Sequence, residues 1–357
     1  MSRTGAAGRS PAADLALLVR LGRPKFLLES VLMVTCGVAV TVYLGHPFLI
    51  GPWLVAQAFV TTTHLMTQYC NEYFDLEADS AHTGPTAWTG GSQVLAQGLL
   101  PASISLAAAF VLLFLSVVQL AVMPTLAARL LCVAIVALAW FYTAPPIRLN
   151  YRALGEVTTG GVLILLCPAL ACLLQIGTLP PLLFAVTTPL FLVMTARMIV
   201  MNYCDRDSDR SVGKRTLPNT LGPRRAAWLF TALQATAYVL LVAVTAAGVL
   251  PLAVGVALLA TAPWAVLLCQ RLLGAPPSVD DASGGNRLAG AATVHAAATG
   301  YVAPAALVAA AAVRHGFTEA VLGALLPLAI YTVLFVAQWL SEHRAASPQR
   351  MTEVSRA

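Results

Sequence analysis

Apolar runs of about twenty residues, separated by short polar breaks, recur along the chain from residue 26 to residue 341. A membrane-crossing helix needs roughly 20 apolar residues to pass about 30 Å of hydrocarbon. The runs therefore predict spans over 26–46, 49–71, 101–123, 125–143, 155–176, 180–202, 225–248, 250–272, 289–313 and 319–341. The last two are rich in alanine, which leaves nine and ten crossings both open. Backbone polar groups inside a bilayer need internal partners, so the runs are helices and not strands. Their many small residues permit close helix packing.

The ends read differently. Residues 1–19 are rich in Ala, Gly, Ser and Pro and are expected to form a disordered cytoplasmic tail. Residues 20–343 form one transmembrane domain, and 344–357 a loose C-terminal tail. The first apolar run lacks a short h-region with a cleavage site, so no removed signal peptide is expected.

Composition agrees with the pattern. The 357 residues are 59% hydrophobic and 10% charged, where a soluble domain carries about 25% charged residues. A soluble globular chain is excluded. The seven cysteines lie in or at the ends of apolar runs, without metal-ligand spacing, and read as small packing residues.

The net charge of +6 is unevenly placed. Arg20, Arg23 and Lys25 precede the first span, Arg148 and Arg152 follow the fourth, and Arg206, Arg210, Lys214, Arg215, Arg224 and Arg225 follow the sixth. Arg271 and Arg287 flank the loop after the eighth, whereas the opposite side has only Arg129 and Arg314. The positive-inside rule thus puts the N-terminus and these loops in the cytoplasm. The expected setting is a plasma membrane of bacterial type. The basic charge reflects this topology and not nucleic-acid binding, and membrane lipid is an expected partner.

Acidic residues number 15, and eight fall in three short segments at cytoplasmic ends of spans: Glu72, Asp75, Glu77 and Asp79; Glu156; and Asp205, Asp207 and Asp209. Carboxylates at membrane depth are costly and point to function. In a helix, Asn71, Asp75 and Asp79 share one face, with Glu72 beside it and Glu77 turned away. Asp205 and Asp209, preceded by Asn202, repeat that spacing about 130 residues later. Each cluster follows the second span of a four-span unit, which indicates internal duplication. Two such stripes would repel unless they shared a hard cation. Mg²⁺ suits them, because it is held by one or two carboxylates together with substrate phosphates. Arg206, Arg210, Lys214 and Arg215 supply positive charge for phosphate oxygens.

At these residues the chain resembles the UbiA superfamily of intramembrane prenyltransferases. Its two motifs stand here as Asn71-Glu72-x-x-Asp75-x-x-x-Asp79 and Asp205-x-x-x-Asp209. TGGSQVLAQGLL, YTAPPIRLNYRALGE and VGKRTL agree as well. The resemblance implies an all-α membrane protein, a bundle of nine or ten helices around a central cavity open to lipid. It implies that Asn71, Asp75 and Asp79 hold one Mg²⁺ and that Asp205 and Asp209 hold a second. Lys214 would contact diphosphate, with Arg148 a second contact and Arg152 a weaker one. The loop after the first motif lacks the Lys or Arg that many relatives carry there, and His82, nearby, is the candidate substitute. Glu72 replaces the usual aspartate, and with Asp75 is a candidate base.

The implied activity is transfer of a prenyl group from an allylic prenyl diphosphate to an aromatic acceptor, such as a dihydroxynaphthoate or related phenol. A membrane terpene cyclase, which ionises the same diphosphate without an acceptor, is the alternative. Aromatic faces near the motifs, including Tyr69, Tyr73, Phe74, Trp140, Phe141, Tyr142 and Tyr203, are candidates for stabilising an allylic cation. Arg197, within the sixth span and eight residues before Asp205, needs a partner and is a candidate for holding the acceptor. His64 lies two turns before Asn71, where cavity lining and a satisfied core role are both open. His295 reads as structural, and Glu156 as organising the fourth–fifth loop.

Overall fold

The computed structural model describes residues 10–86, 88–274 and 282–345, and each of the ten predicted apolar runs is helical over most of its length. In chain order the helices are α1 (Pro11–Leu21), α2 (Pro24–Tyr43), α3 (Ile50–Phe74), α4 (Leu76–Ser80), α5 (Ala102–Gln119), α6 (Leu126–Trp140), α7 (Gly155–Gly160) and α8 (Cys167–Ile176). They continue with α9 (Pro181–Cys204), α10 (Arg206–Ser211), α11 (Leu217–Leu221), α12 (Pro223–Ala246), α13 (Leu252–Leu259), α14 (Ala262–Gly274), α15 (Ala282–His315) and α16 (Glu319–Ala345). No strand occurs among the described residues; an isolated bridge joins Arg152 to Arg215.

Eight helical stretches among the described residues are long and apolar enough to cross a membrane. The two remaining runs are α6, of 15 residues, and α3, of 25. α3 is less apolar because Thr63, His64, Thr67, Gln68 and Asn71 line an internal cavity.

Several boundaries differ from expectation. The N-terminal tail is helical from Pro11 onward, not disordered. Ser10 caps the helix by accepting from the Ala13 N–H, Pro11 occupies the first turn, and Leu21 is buried against Tyr69 and Val94. Tyr69 Oη donates to the Leu18 carbonyl at 3.0 Å, tying α1 to α3. The run 250–272 is divided between α13 and α14 at Ala260–Thr261. The run 155–176 is continuous but contains a π-helical segment, Gly161–Leu166, just before Pro168, where proline cannot donate to the helical ladder. α15 has 34 residues, about 51 Å at 1.5 Å per residue. The C-terminal tail expected from 344 lies beyond Ala345 outside the described residues, as do residues 1–9.

α2 is the centre of the bundle, packing on α3, α8, α15 and α16. Of its span 72% is buried, against 17% for Ala102–Val122 at the periphery. Gly37 makes the close approach to α8 possible: a Cβ there would stand 2.3 Å from the Pro168 carbonyl oxygen. Outward apolar side chains such as Phe114, Val239 and Leu130 remain exposed, as helices facing lipid require.

The duplication is visible in the backbone. α3 ends at Asp75 with φ −98° and ψ 4°, and α9 ends at Asp205 with φ −91° and ψ 2°. Each aspartate is followed by a short helix, α4 or α10, that carries the next motif carboxylate.

Candidate active site

Both helix ends open onto one cavity, of about 180 Å³ when measured as space open to the centre of a water molecule. Asp75, Asp79, Asp205, Asp209 and Lys214 line its mouth, and Phe26, Val60, Ile135, Leu138 and Leu163 its body. The mouth is held together across the duplication. Lys214 Nζ donates to Asp75 Oδ2 at 2.9 Å and stands 3.2 Å from Asp209 Oδ1. His82 Nε2 donates to Asp205 Oδ1 at 3.0 Å. Each half therefore supplies a carboxylate that a basic group following the other half's motif, or sharing both, neutralises.

Asp75 is further ordered by Asn71 Nδ2, which donates at 2.7 Å, and by Asn150 Nδ2 at 3.2 Å. Asp79 is packed beneath Gly91, whose φ is +69° and where a Cβ would stand 2.1 Å from Asp79 Oδ2. Only glycine fits both that backbone and that contact.

Burial and like charge both act on these carboxyl groups. Burial, then the nearby Glu72 and Asp75 charges, pushes the Asp79 carboxyl up to about 8. Burial likewise pushes Asp209 up to about 7 against the opposing pull of Lys214. Burial alone would lower Lys214, but Asp75 and Asp209 hold it well above the usual lysine range. His82 is raised chiefly by its hydrogen bond to Asp205. Asp209 Oδ2 is buried and has no protein partner. Among the described residues no three acidic, histidine or cysteine side chains converge to hold an ion by themselves. That donor set fits Mg²⁺, which completes a carboxylate pair with waters and substrate phosphates, and does not fit a closed structural metal cage.

The loops that carry these groups are themselves braced. Glu156, fully buried, accepts from Asn202 Nδ2 at 2.8 Å and from the Leu217 N–H at 2.8 Å. Ala153 N–H donates to the Arg215 carbonyl at 2.6 Å. Together these contacts press the 142–156 segment against the segment holding Lys214, which is how Asn150 reaches Asp75.

The sequence matches the model of the UbiA prenyltransferase family over residues 31–284. The chain belongs to that family. It is thus an integral membrane prenyltransferase by family, with an all-α fold. The fold is similar to that of a UbiA homolog from Archaeoglobus fulgidus, solved bound to DMAPP and Mg²⁺, at 17% identity and a TM-score of 0.60, covering 80% of this chain and 98% of that one. The same archaeal protein bound to GPP and Mg²⁺ matches at 16% identity and 0.59, covering 82% and 99%. An apo UbiA homolog from Aeropyrum pernix K1 matches at 20% identity and 0.57, covering 76% and 97%. No curated protein sequence gives a significant match.

The structure gathers Asn71, Asp75, Asp79, Tyr142, Arg197, Asn202, Asp205, Asp209 and Lys214 around the cavity. Other expected residues lie elsewhere. Glu72 faces away: its oxygens accept from the Ser92 N–H at 2.8 Å and Ser92 Oγ at 2.6 Å, with Arg23 3.7 Å away. Arg148 stacks on the Tyr151 ring at 3.4 Å, Arg152 donates to the Pro146 carbonyl, and Arg210 is exposed. Tyr73 and Phe74 pack edge-to-face on one another, and Trp140 packs on Phe110. Asp207 pairs with Arg206 at the surface, and Glu77 is exposed. Sequence reasoning missed Phe26, Glu29 and Trp88, all of which line the cavity. For Glu29 the signal was present, since an acid inside an apolar run is the same anomaly that marked Asp75.

Proposed function

We propose that the chain uses Mg²⁺ to bind an allylic prenyl diphosphate at the Asp75/Asp79–Asp205/Asp209 mouth and transfers the prenyl group to an aromatic acceptor inside the cavity. The observation that carries this reading is the meeting of both motifs at Lys214, at the mouth of a cavity whose wall combines apolar side chains such as Val60, Ile135 and Leu163 with polar ones. The family membership and the DMAPP- and GPP-bound relatives support the same substrate class.

Asp75 and Asp79, with the amide oxygen of Asn71, would hold one Mg²⁺, and Asp205 and Asp209 a second. When bound, Mg²⁺ supplies positive charge to the diphosphate oxygens and so makes diphosphate a better leaving group. Lys214 has three N–H donors, of which Asp75 and Asp209 engage two; the third is free for a phosphate oxygen. Tyr142 lines the cavity, where its ring would offer a π face to an allylic cation; the Phe26 and Trp88 rings already carry Arg23 and Lys25, at 4.9 and 4.6 Å. The basic loops support a cytoplasmic setting for this mouth.

The test is to incubate the protein in membranes with labelled prenyl diphosphates of several lengths, with and without aromatic acceptors. The reading predicts a prenylated arene that forms only when acceptor is added. Release of a cyclic hydrocarbon or alcohol without acceptor would contradict it in favour of cyclisation.

A further inference from the structure

Away from the mouth, the cavity holds a second polar group within the bilayer-spanning helices. Arg197 of α9 pairs with Glu29 of α2 through Nη1 and Oε1, and its Nε donates to Thr293 Oγ1 at 3.3 Å. Arg197 is 3% exposed. His64 of α3 lines the same cavity and lies within electrostatic reach of Arg197. Arg197 precedes Asp205 by eight residues, about 12 Å along the helix, which leaves room for one aromatic ring between the two polar ends.

A buried ion pair costs desolvation that its own attraction seldom recovers, so a purely structural role is poorly supported at a cavity wall. Its charge is also balanced. Glu29 already neutralises Arg197, and Arg23, which lines the same cavity, has Glu72 3.7 Å away, so an added anion would meet the Glu29 carboxylate where both guanidinium groups already have a carboxylate partner. A hydroxyl donor meets a ready acceptor. His64 supplies the complementary half. The Gln68 amide nitrogen, 3.2 Å from His64 Nε2, can only donate, which puts the ring proton on Nδ1, and that atom is buried without a protein partner.

We propose that Glu29, His64 and Arg197 form the acceptor pocket and select a neutral hydroxyarene over a carboxylated one. The Glu29 carboxylate accepts from the acceptor's hydroxyl, His64 Nδ1–H donates to an acceptor oxygen, and Arg197 is a positioning residue that holds Glu29 in place. This pocket rests on the prenyl-transfer reading above and specifies the chemistry of its second substrate.

The test uses the full chain in lipid nanodiscs, with labelled prenyl diphosphate and paired acceptors: hydroxynaphthalenes and their carboxylated counterparts. Wild type should favour the uncarboxylated acceptors by roughly tenfold or more in kcat/KM. Glu29→Gln should raise acceptor KM roughly 10- to 100-fold, the scale of a lost hydrogen bond to a charged group, while prenyl diphosphate KM stays within about twofold. His64→Leu, which leaves no unpaired charge, should raise acceptor KM in the same selective way and keeps the test open if Glu29→Gln does not fold. Preference for carboxylated acceptors overturns the proposal, as does an unchanged acceptor KM in both variants, or equal losses for both substrates. Prenyl diphosphate consumption by wild type with no acceptor dependence would instead defeat the transferase reading itself.

Discussion

Lys214 Nζ lies 2.9 Å from Asp75 Oδ2 and 3.2 Å from Asp209 Oδ1, so one ammonium joins carboxylates from the two duplicated halves. Because α3 and α9 end at near-identical backbone angles at Asp75 and Asp205, the two acidic segments arrive at the cavity mouth as a matched pair. Without Lys214 they would face each other as uncompensated buried charge.

Lys214→Met should therefore lower prenyl transfer by roughly 100-fold or more, the scale seen when one preorganised donor is removed from a developing anion. Lys214→Arg should recover part of it, since charge is kept but the point-like ammonium is lost. Steady-state turnover of labelled prenyl diphosphate distinguishes the two; equal loss in both would argue for a purely steric role.

His82→Ala removes the second bridge between halves, the hydrogen bond to Asp205. The expected result is a rise of about 10- to 100-fold in the Mg²⁺ concentration required for half-maximal activity, the scale of a lost hydrogen-bond partner to a metal-binding carboxylate. A Mg²⁺ titration at saturating substrate measures it, and an unchanged requirement would separate His82 from the site.

The acidic residues should divide sharply. Glu77 is exposed and Asp207 pairs with Arg206 at the surface, so Glu77→Gln and Asp207→Asn should leave turnover within about twofold, as exposed pairs contribute little. Asp79→Asn and Asp209→Asn, at the cavity mouth, should abolish it. Comparable loss in all four would mean that overall charge, not position, matters.

Gly37→Ala tests the packing of the central helix. Its Cβ would stand 2.3 Å from the Pro168 carbonyl oxygen and 2.9 Å from Ala171 Cβ, an overpacking that costs about 1–3 kcal/mol. Gly51→Ala, with nothing within 4 Å, should be near neutral. Thermal unfolding in detergent compares them, and equal stability would place α2 and α8 farther apart than described.

Much of this architecture is legible in the sequence because bilayer physics leaves few options. Runs of apolar residues must be helices, and Asp75 and Asp205 stand out because charge there is costly. α1 is less visible, since its buried side is only a few leucines in a short Ala-rich stretch capped by Ser10. The 250–272 break at Ala260–Thr261 is hidden because both flanks are equally apolar. Side-chain direction in loops is the other gap. Arg148 and Arg152 sit beside the motifs in sequence, yet stacking on Tyr151 and a bond to Pro146 turn them from the cavity. Glu29 breaks an apolar run as plainly as Asp75, but its partner Arg197 lies 168 residues away and only the fold brings them together.

The central claim is that the two acidic segments act as one Mg²⁺–diphosphate site. Its most direct test is release of labelled diphosphate from an allylic prenyl diphosphate by the Asp75→Ala/Asp205→Ala double variant, with wild type assayed in Mg²⁺ and after chelation. The account predicts that chelation stops wild-type release, that restored Mg²⁺ recovers it, and that the double variant stays inactive at any Mg²⁺ concentration. Mg²⁺-dependent release that survives in the double variant would contradict it.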